Sequence, residues 1–175
     1  VNKGKTVFIG DTSVHEHPTA EQLTEIAISS ARVIRLFGFD PKVAFVSHST
    51  FGQPATSSTK HIRDAVEILQ DKKVDFQFDG DMQPDVALNE EYKELYSFSG
   101  IVGNANILIM PGQHSAAISY KMMKSLGGAK VIGPLLIGLG QPIEIAPLRS
   151  STSDILNLAS IAAYSAGVIN YNKKN

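Results

Sequence analysis

Apolar positions along the chain switch repeatedly between two spacings. Thr6 to Gly10 is a β-branched and aromatic run stopped at Gly10-Asp11, which predicts a short buried strand. Leu23, Ile26, Ala27, Ser30, Val33, Ile34 and Phe37 then recur three and four apart, the spacing of one helical face. Thr19 and Gln22 are spaced as a capping box at its start, and Gly38 is placed to end it. The alternation repeats: Val43 to Val46 predicts a strand after Pro41, and Ile62, Ala65, Val66 and Leu69 mark a second amphipathic helix. Val74 to Phe78 alternates apolar and polar before Asp79-Gly80, which predicts a third strand and a turn. Ile107 to Met110 is an unbroken apolar run ended by Pro111-Gly112, a helix from about Ser115 to Leu126 closes on Gly127-Gly128, and Val131 to Ile137 reads as a further strand despite Pro134. From about Thr152 to Ile169 apolar residues cover most of a helix surface, so that helix needs burial on several sides.

Strands and helices alternating through short connections predict an α/β fold, a three-layer α/β/α sandwich with a mostly parallel sheet. The unbroken apolar strands are those of a sheet covered on both faces. In such sheets ligands gather at the carboxyl ends of the strands. Phe51 to Thr59 is small, polar and follows a strand end, so it is the expected mobile loop at a site edge.

Composition narrows the classes. With 175 residues, one domain or two unequal lobes is expected. A hydrophobic share of 43% against 19% charged is that of a packed globular chain. The net charge is −1 and no dense basic run occurs before the Asn172-Lys173-Lys174-Asn175 end, which argues against electrostatic nucleic-acid binding. The absence of Cys removes disulfides, thiolate catalysis and cysteine-ligated zinc or iron–sulfur sites. No run of about 18 apolar residues exists, and the opening Val-Asn-Lys-Gly-Lys-Thr lacks the apolar core of a signal peptide. A soluble, cytoplasmic protein without membrane association is the expectation. Val1 rather than Met points to a fragment or a processed chain.

Several constellations carry chemistry on paper. His15 and His17, with Asp11 and Glu16, are candidate metal ligands, although polar loop residues before a helix give the same letters. Asp79, Asp81 and Asp85 fit a magnesium site or, more simply, a solvated turn entering a helix. Ser47-His48-Ser49-Thr50 lacks the glycines of a nucleophile elbow, and neighbours in extended chain point to opposite sides. Gly52, Gly100 to Gly103 and Gly127-Gly128 match neither a dinucleotide fingerprint nor a Walker motif. Asp154 falls in the first turn of the last helix, where it reads as an N-terminal helix residue or as a catalytic base.

The ordered blocks Phe8-Ile9-Gly10-Asp11, Pro18-Thr19-Ala20-Glu21-Gln22-Leu23, Pro41-Lys42-Val43-Ala44, Asp79-Gly80-Asp81-Met82-Gln83, Ala105 to Pro111 and Ile132-Gly133-Pro134-Leu135 resemble the phosphate acetyltransferase/butyryltransferase family. The resemblance runs from about Val7 to Ile169 and implies two α/β lobes flanking a coenzyme A cleft. It implies that residues 1–137 are the second lobe and residues 138–175 a C-terminal return segment that packs on an absent first lobe or a partner chain. Family chemistry moves an acyl group between phosphate and the thiol of coenzyme A, using a carboxylate base and a serine and arginines that hold the anionic donor. The resemblance places the base at Asp154, the Ser-Arg pair at Pro147 and Leu148, and another arginine at Ser125. Arg149, one place further on, restores one guanidinium only if this loop is shifted by a residue.

Ser47 to Gly52 and the arginine-free Pro142 to Pro147 look like the C-terminal transferase-like region of large bacterial NADP-dependent malic enzymes. That resemblance implies a domain with no catalytic residues of its own, which senses acetyl-CoA or coenzyme A and helps assemble a homo-oligomer. Its ligand contacts are expected at Ser125, Ile132, Gly133, Pro134, Pro147, Leu148 and Asp154. No metal or cofactor is expected in this chain. NADP, a divalent metal and malate oxidation are implied for an N-terminal malic-enzyme domain, the expected partner. The alternative is an active phosphate acetyltransferase using Arg149 and Asp154.

Overall fold

The computed structural model of the chain describes residues 5–11 and 13–172. The opening residues and the Lys173-Lys174 end, read above for targeting and charge, lie outside them. The chain divides into two compact units, Val1–Ala129 and Lys130–Asn175.

The first unit is built on a four-stranded, all-parallel sheet of β1 (Phe8–Gly10), β2 (Lys42–Val46), β3 (Gln77–Met82) and β4 (Ile107–Ile109) in the order β1-β4-β2-β3. Parallel neighbours require crossovers, and helices α1 (Ala20–Leu36) and α2 (Lys60–Lys72) supply the first two. The capping box at Thr19 and Gln22 forms as its spacing predicts: the Gln22 N–H donates to Thr19 Oγ1 at 3.3 Å and the Thr19 N–H to Gln22 Oε1 at 2.9 Å.

Alternate residues of the central strands feed two cores. Val43, Phe45, Ile107 and Ile109 pack with Leu23, Ala27, Ile34, Ala65 and Leu69 of α1 and α2 on one face. Ala44, Val46, Leu108 and Met110 face the other way, toward Val86 and Ala87 of α3 (Pro84–Leu88) and Ala116 of α5 (Gln113–Leu126). Between these helices lie α4 (Glu90–Lys93) and a 3-10 turn, Glu94–Tyr96. The period of two in a doubly covered sheet makes the three layers.

Two strand expectations fail. The third strand does not run from Val74 to Phe78 but from Gln77 to Met82, straight through the expected Asp79-Gly80 turn. Its position is set by pairing with β2, Phe78 opposite Val43 and Asp79 opposite Ala44, a long-range constraint that local alternation cannot reveal. Val131 to Ile137, in the second unit, forms no strand. Pro134 has no N–H to donate and Gly133 sits at φ +121, a backbone state foreign to strands, so apolar content alone does not make one here. The second unit's regular element is α6 (Thr152–Asn172), which leaves Ile155, Leu156 and Tyr164 exposed instead of buried on several sides. None of the described helices is long and apolar enough to cross a membrane.

Candidate functional site

The carboxyl ends of the strands carry the first unit's polar constellations. After β2 the chain turns at Ser47, and the last turn of the pleat in β3 carries Asp81, which is fully buried. The Asp81 carboxylate accepts hydrogen bonds from the hydroxyls of Ser49 and Ser47, the latter at 3.3 Å, and from the Gly52 N–H at 2.9 Å. Its backbone carbonyl accepts from the Phe51 N–H at 2.6 Å. Arg63 of α2 brings Nη1 to 3.6 Å from the carboxylate while donating to Thr59 Oγ1 at 2.6 Å. A carboxylate removed from water demands such partners. Asp81 is therefore not part of the expected solvated turn, and the three carboxylates do not converge: Asp79 turns to the N–H groups of Gly80 and Gly100, and Asp85 stays exposed.

This carboxylate organises the loop expected to be mobile. Phe51 is held at φ +49, uncommon for a bulky residue, between its own bond to Asp81 and that of Gly52. Its ring packs against Tyr96 and Phe98. His48 is exposed while Ser47 and Ser49 share a hydrogen bond at 2.9 Å, so the Ser-His-Ser stretch splits between two sides as extended chain dictates.

After β1, Asp11 accepts hydrogen bonds from the N–H groups of Ser13 (3.2 Å), Val14 (2.7 Å) and His15 (2.9 Å), and it bonds His15 Nδ1. Burial pushes its carboxyl up, but these bonds outweigh it and hold the carboxyl below the usual aspartate range. A carboxyl depressed in the folded state stabilises above its unfolded value and loses that contribution as pH falls through the folded one. Asp11→Asn, which keeps one acceptor for the backbone, is expected to flatten the acid limb of stability below about pH 4; thermal midpoints between neutral pH and pH 3 check it. Among the described residues no group of three His, Asp or Glu side chains is arranged to hold a metal.

The expected ligand residues divide between the units. Ser125 is exposed in the last turn of α5. In the second unit Ile132 is exposed and Gly133 and Pro134 are partly covered. Pro147 and Leu148 are exposed in a turn whose Ser150 N–H donates to the Pro147 carbonyl at 2.9 Å. Asp154 caps α6: its carboxylate accepts from the Ser151 N–H (2.9 Å) and hydroxyl (2.8 Å), and Ser151 Oγ accepts from the Asp154 N–H at 3.2 Å. This is the helix-terminal role read from its position. In the same unit, burial raises the Glu144 carboxyl above its ordinary range, partly offset by the Leu136 N–H it accepts.

The sequence model of the phosphate acetyl/butaryl transferase family matches residues 1–163. The chain belongs to that family. It is 48% identical over 165 residues to the NADP-dependent malic enzyme of Rhizobium meliloti (strain 1021), covering 94% of this chain and 22% of that protein. It is 34% identical over 162 residues to the phosphate acetyltransferase of Clostridium acetobutylicum, covering 91% of this chain and 49% of that one. Among solved structures, a phosphotransacetylase from Streptococcus pyogenes superposes with a TM-score of 0.87 at 34% identity, over 93% of this chain and 50% of that one. EutD phosphotransacetylase from Staphylococcus aureus gives 0.86 at 29% identity, over 95% and 52%. The chain spans under a quarter of the malic enzyme and about half of the transferases. It is a phosphotransacetylase-like domain of the kind found in both.

Proposed function

We propose that this domain is the acetyl-CoA-sensing regulatory and oligomerisation part of a bacterial malic enzyme, and that it does not itself transfer acyl groups. The observation that carries this reading is Pro147-Leu148 standing where the family resemblance implies a Ser-Arg pair. A proline offers no hydroxyl and a leucine no charge to an acyl phosphate, and Ser125 is too short to replace a guanidinium. Each charge-stabilising donor lost from an acyl-transfer site costs about 2.7–4 kcal/mol, or roughly 10²–10³ in turnover, so losing two or three leaves almost none. The 48% identity to a malic enzyme supports the same branch.

What survives such losses is a groove for the pantetheine and nucleotide of the effector, with Ser125, Ile132, Gly133, Pro134, Pro147, Leu148 and Asp154 as its proposed contacts. Residues 1–137 act as the second lobe and 138–175 as the return segment. Regulation is linkage: acetyl-CoA binds one arrangement of the assembled protein better than another and shifts the attached malic-enzyme domain with it. Malate oxidation, NADP and the divalent metal belong to that other domain, and no residue here is assigned to them.

A coupled assay of acetyl phosphate with coenzyme A on the intact polypeptide is expected to show no turnover, while calorimetric titration with acetyl-CoA shows saturable heat. Transfer at an ordinary rate of about 1 per second or more overturns the reading in favour of an active transferase through Arg149 and Asp154. A flat titration with unchanged malate kinetics removes the sensing role and leaves assembly alone.

A further inference from the structure

Buried polar side-chain atoms left without a hydrogen-bond partner are rare in folded proteins, and each calls for an explanation. Two occur among the described residues, Asn104 Oδ1 and Asn157 Nδ2. Asn104 stands just before β4, at the amino end of the sheet, where open α/β sheets do not place ligands. Asn157 is on α6, three residues after Asp154 and so on the same helix face, with about 5–6 Å between the two Cβ positions. Its amide nitrogen is shut off from water with nothing to donate to, although the residue as a whole is only half-buried. An unmade donor of this kind disfavours the empty state and favours an occupant that brings an acceptor.

We infer, resting on the acetyl-CoA-sensing reading above, that Asn157 is the residue that tells acetyl-CoA from coenzyme A, its amide donating to the acetyl carbonyl. The family resemblance sets Asp154 at the sulfur of the ligand. In a thioester the carbonyl oxygen is two bonds from that sulfur, within the span of side chains one helical turn apart. That oxygen only accepts hydrogen bonds, so Asp154, itself an acceptor when ionised, cannot serve it. Neither can the other proposed contacts of the second unit: the side chains of Ile132, Pro134, Pro147 and Leu148 carry no donor, and Gly133 has no side chain. Asn157 supplies the donor they lack. Free coenzyme A has no carbonyl at this point and leaves the amide as it was. A site built to donate to one oxygen rejects the analogue without it, because the buried donor then stays unpaired.

Titration calorimetry on the intact polypeptide tests this with three ligands: acetyl-CoA, coenzyme A and S-ethyl-CoA, a thioether that keeps the size of the acetyl group without its oxygen. Wild-type protein is expected to bind acetyl-CoA about tenfold tighter than S-ethyl-CoA, the effect of giving a buried donor its acceptor. Asn157→Leu, close in shape and free of the unpaired donor, is expected to erase that preference without lowering the thermal midpoint. An amide that merely held the fold together would do the reverse. Equal binding of acetyl-CoA and S-ethyl-CoA by the wild type, or a preference that survives in Asn157→Leu, overturns the assignment while leaving the sensing role. A wild type that binds none of the three ligands removes the sensing role itself, and the assignment with it. The wild-type comparison needs no substitution, so it decides even if the variant does not fold.

Discussion

Asp81→Ala is expected to destabilise the first unit by about 3–5 kcal/mol, the cost of breaking a buried charged pair by removing one partner. The substitution deletes the acceptor shared by the Ser47 and Ser49 hydroxyls and the Gly52 N–H and removes the charge beside Arg63. A donor stranded away from water adds a desolvation penalty. Ser47, Ser49 and Gly52 of the loop all bond this carboxylate, so the strand end and the loop are expected to loosen together. Asp81→Asn keeps one oxygen for these donors and gives up the charge beside Arg63, so it falls between wild type and alanine. Urea unfolding of the three proteins orders them; an alanine variant within 1 kcal/mol of wild type removes Asp81 from this role.

Gly80→Ala strikes the preceding residue through sterics rather than charge. Gly80 stands at φ +157, and a Cβ placed there comes within 2.7 Å of Phe45 Cβ and 2.8 Å of the Phe45 carbonyl oxygen. The obstacle is the backbone of the central strand, with a fully buried side chain, so it cannot swing aside. An unsuitable backbone state costs about 1–3 kcal/mol and overpacking a tight core costs about the same again, so a loss of several kcal/mol is expected. The same unfolding experiment reads it. If Gly80→Ala matches wild type, β3 does not approach β2 as closely as described.

The element types were largely legible because they follow from short-range periodicity. α1, α2 and α5, with the capping box at Thr19, appear where the spacing of apolar residues puts them. The misplaced third strand shows the limit. Val74 and Phe76 satisfy strand alternation as well as Phe78 does, and only the partner strand selects the pairing. Asp154 was legible as a helix-terminal residue, since a cap is decided within four positions. The burial of Asp81 was not, because its partners lie 18 to 34 positions away on a loop and a helix.

By itself the amino-acid sequence determined the α/β class, the longer helices and the family, since each is a property of residue identity and local spacing. Tertiary structure alone decided that Asp81 is an internal anchor rather than a solvated turn, that Asp11 is consumed by its own loop, and which apolar helix faces remain in water. Those outcomes depend on which distant segments exclude solvent from a given side chain, and exclusion of water is a property of the packed chain, not of any stretch of it.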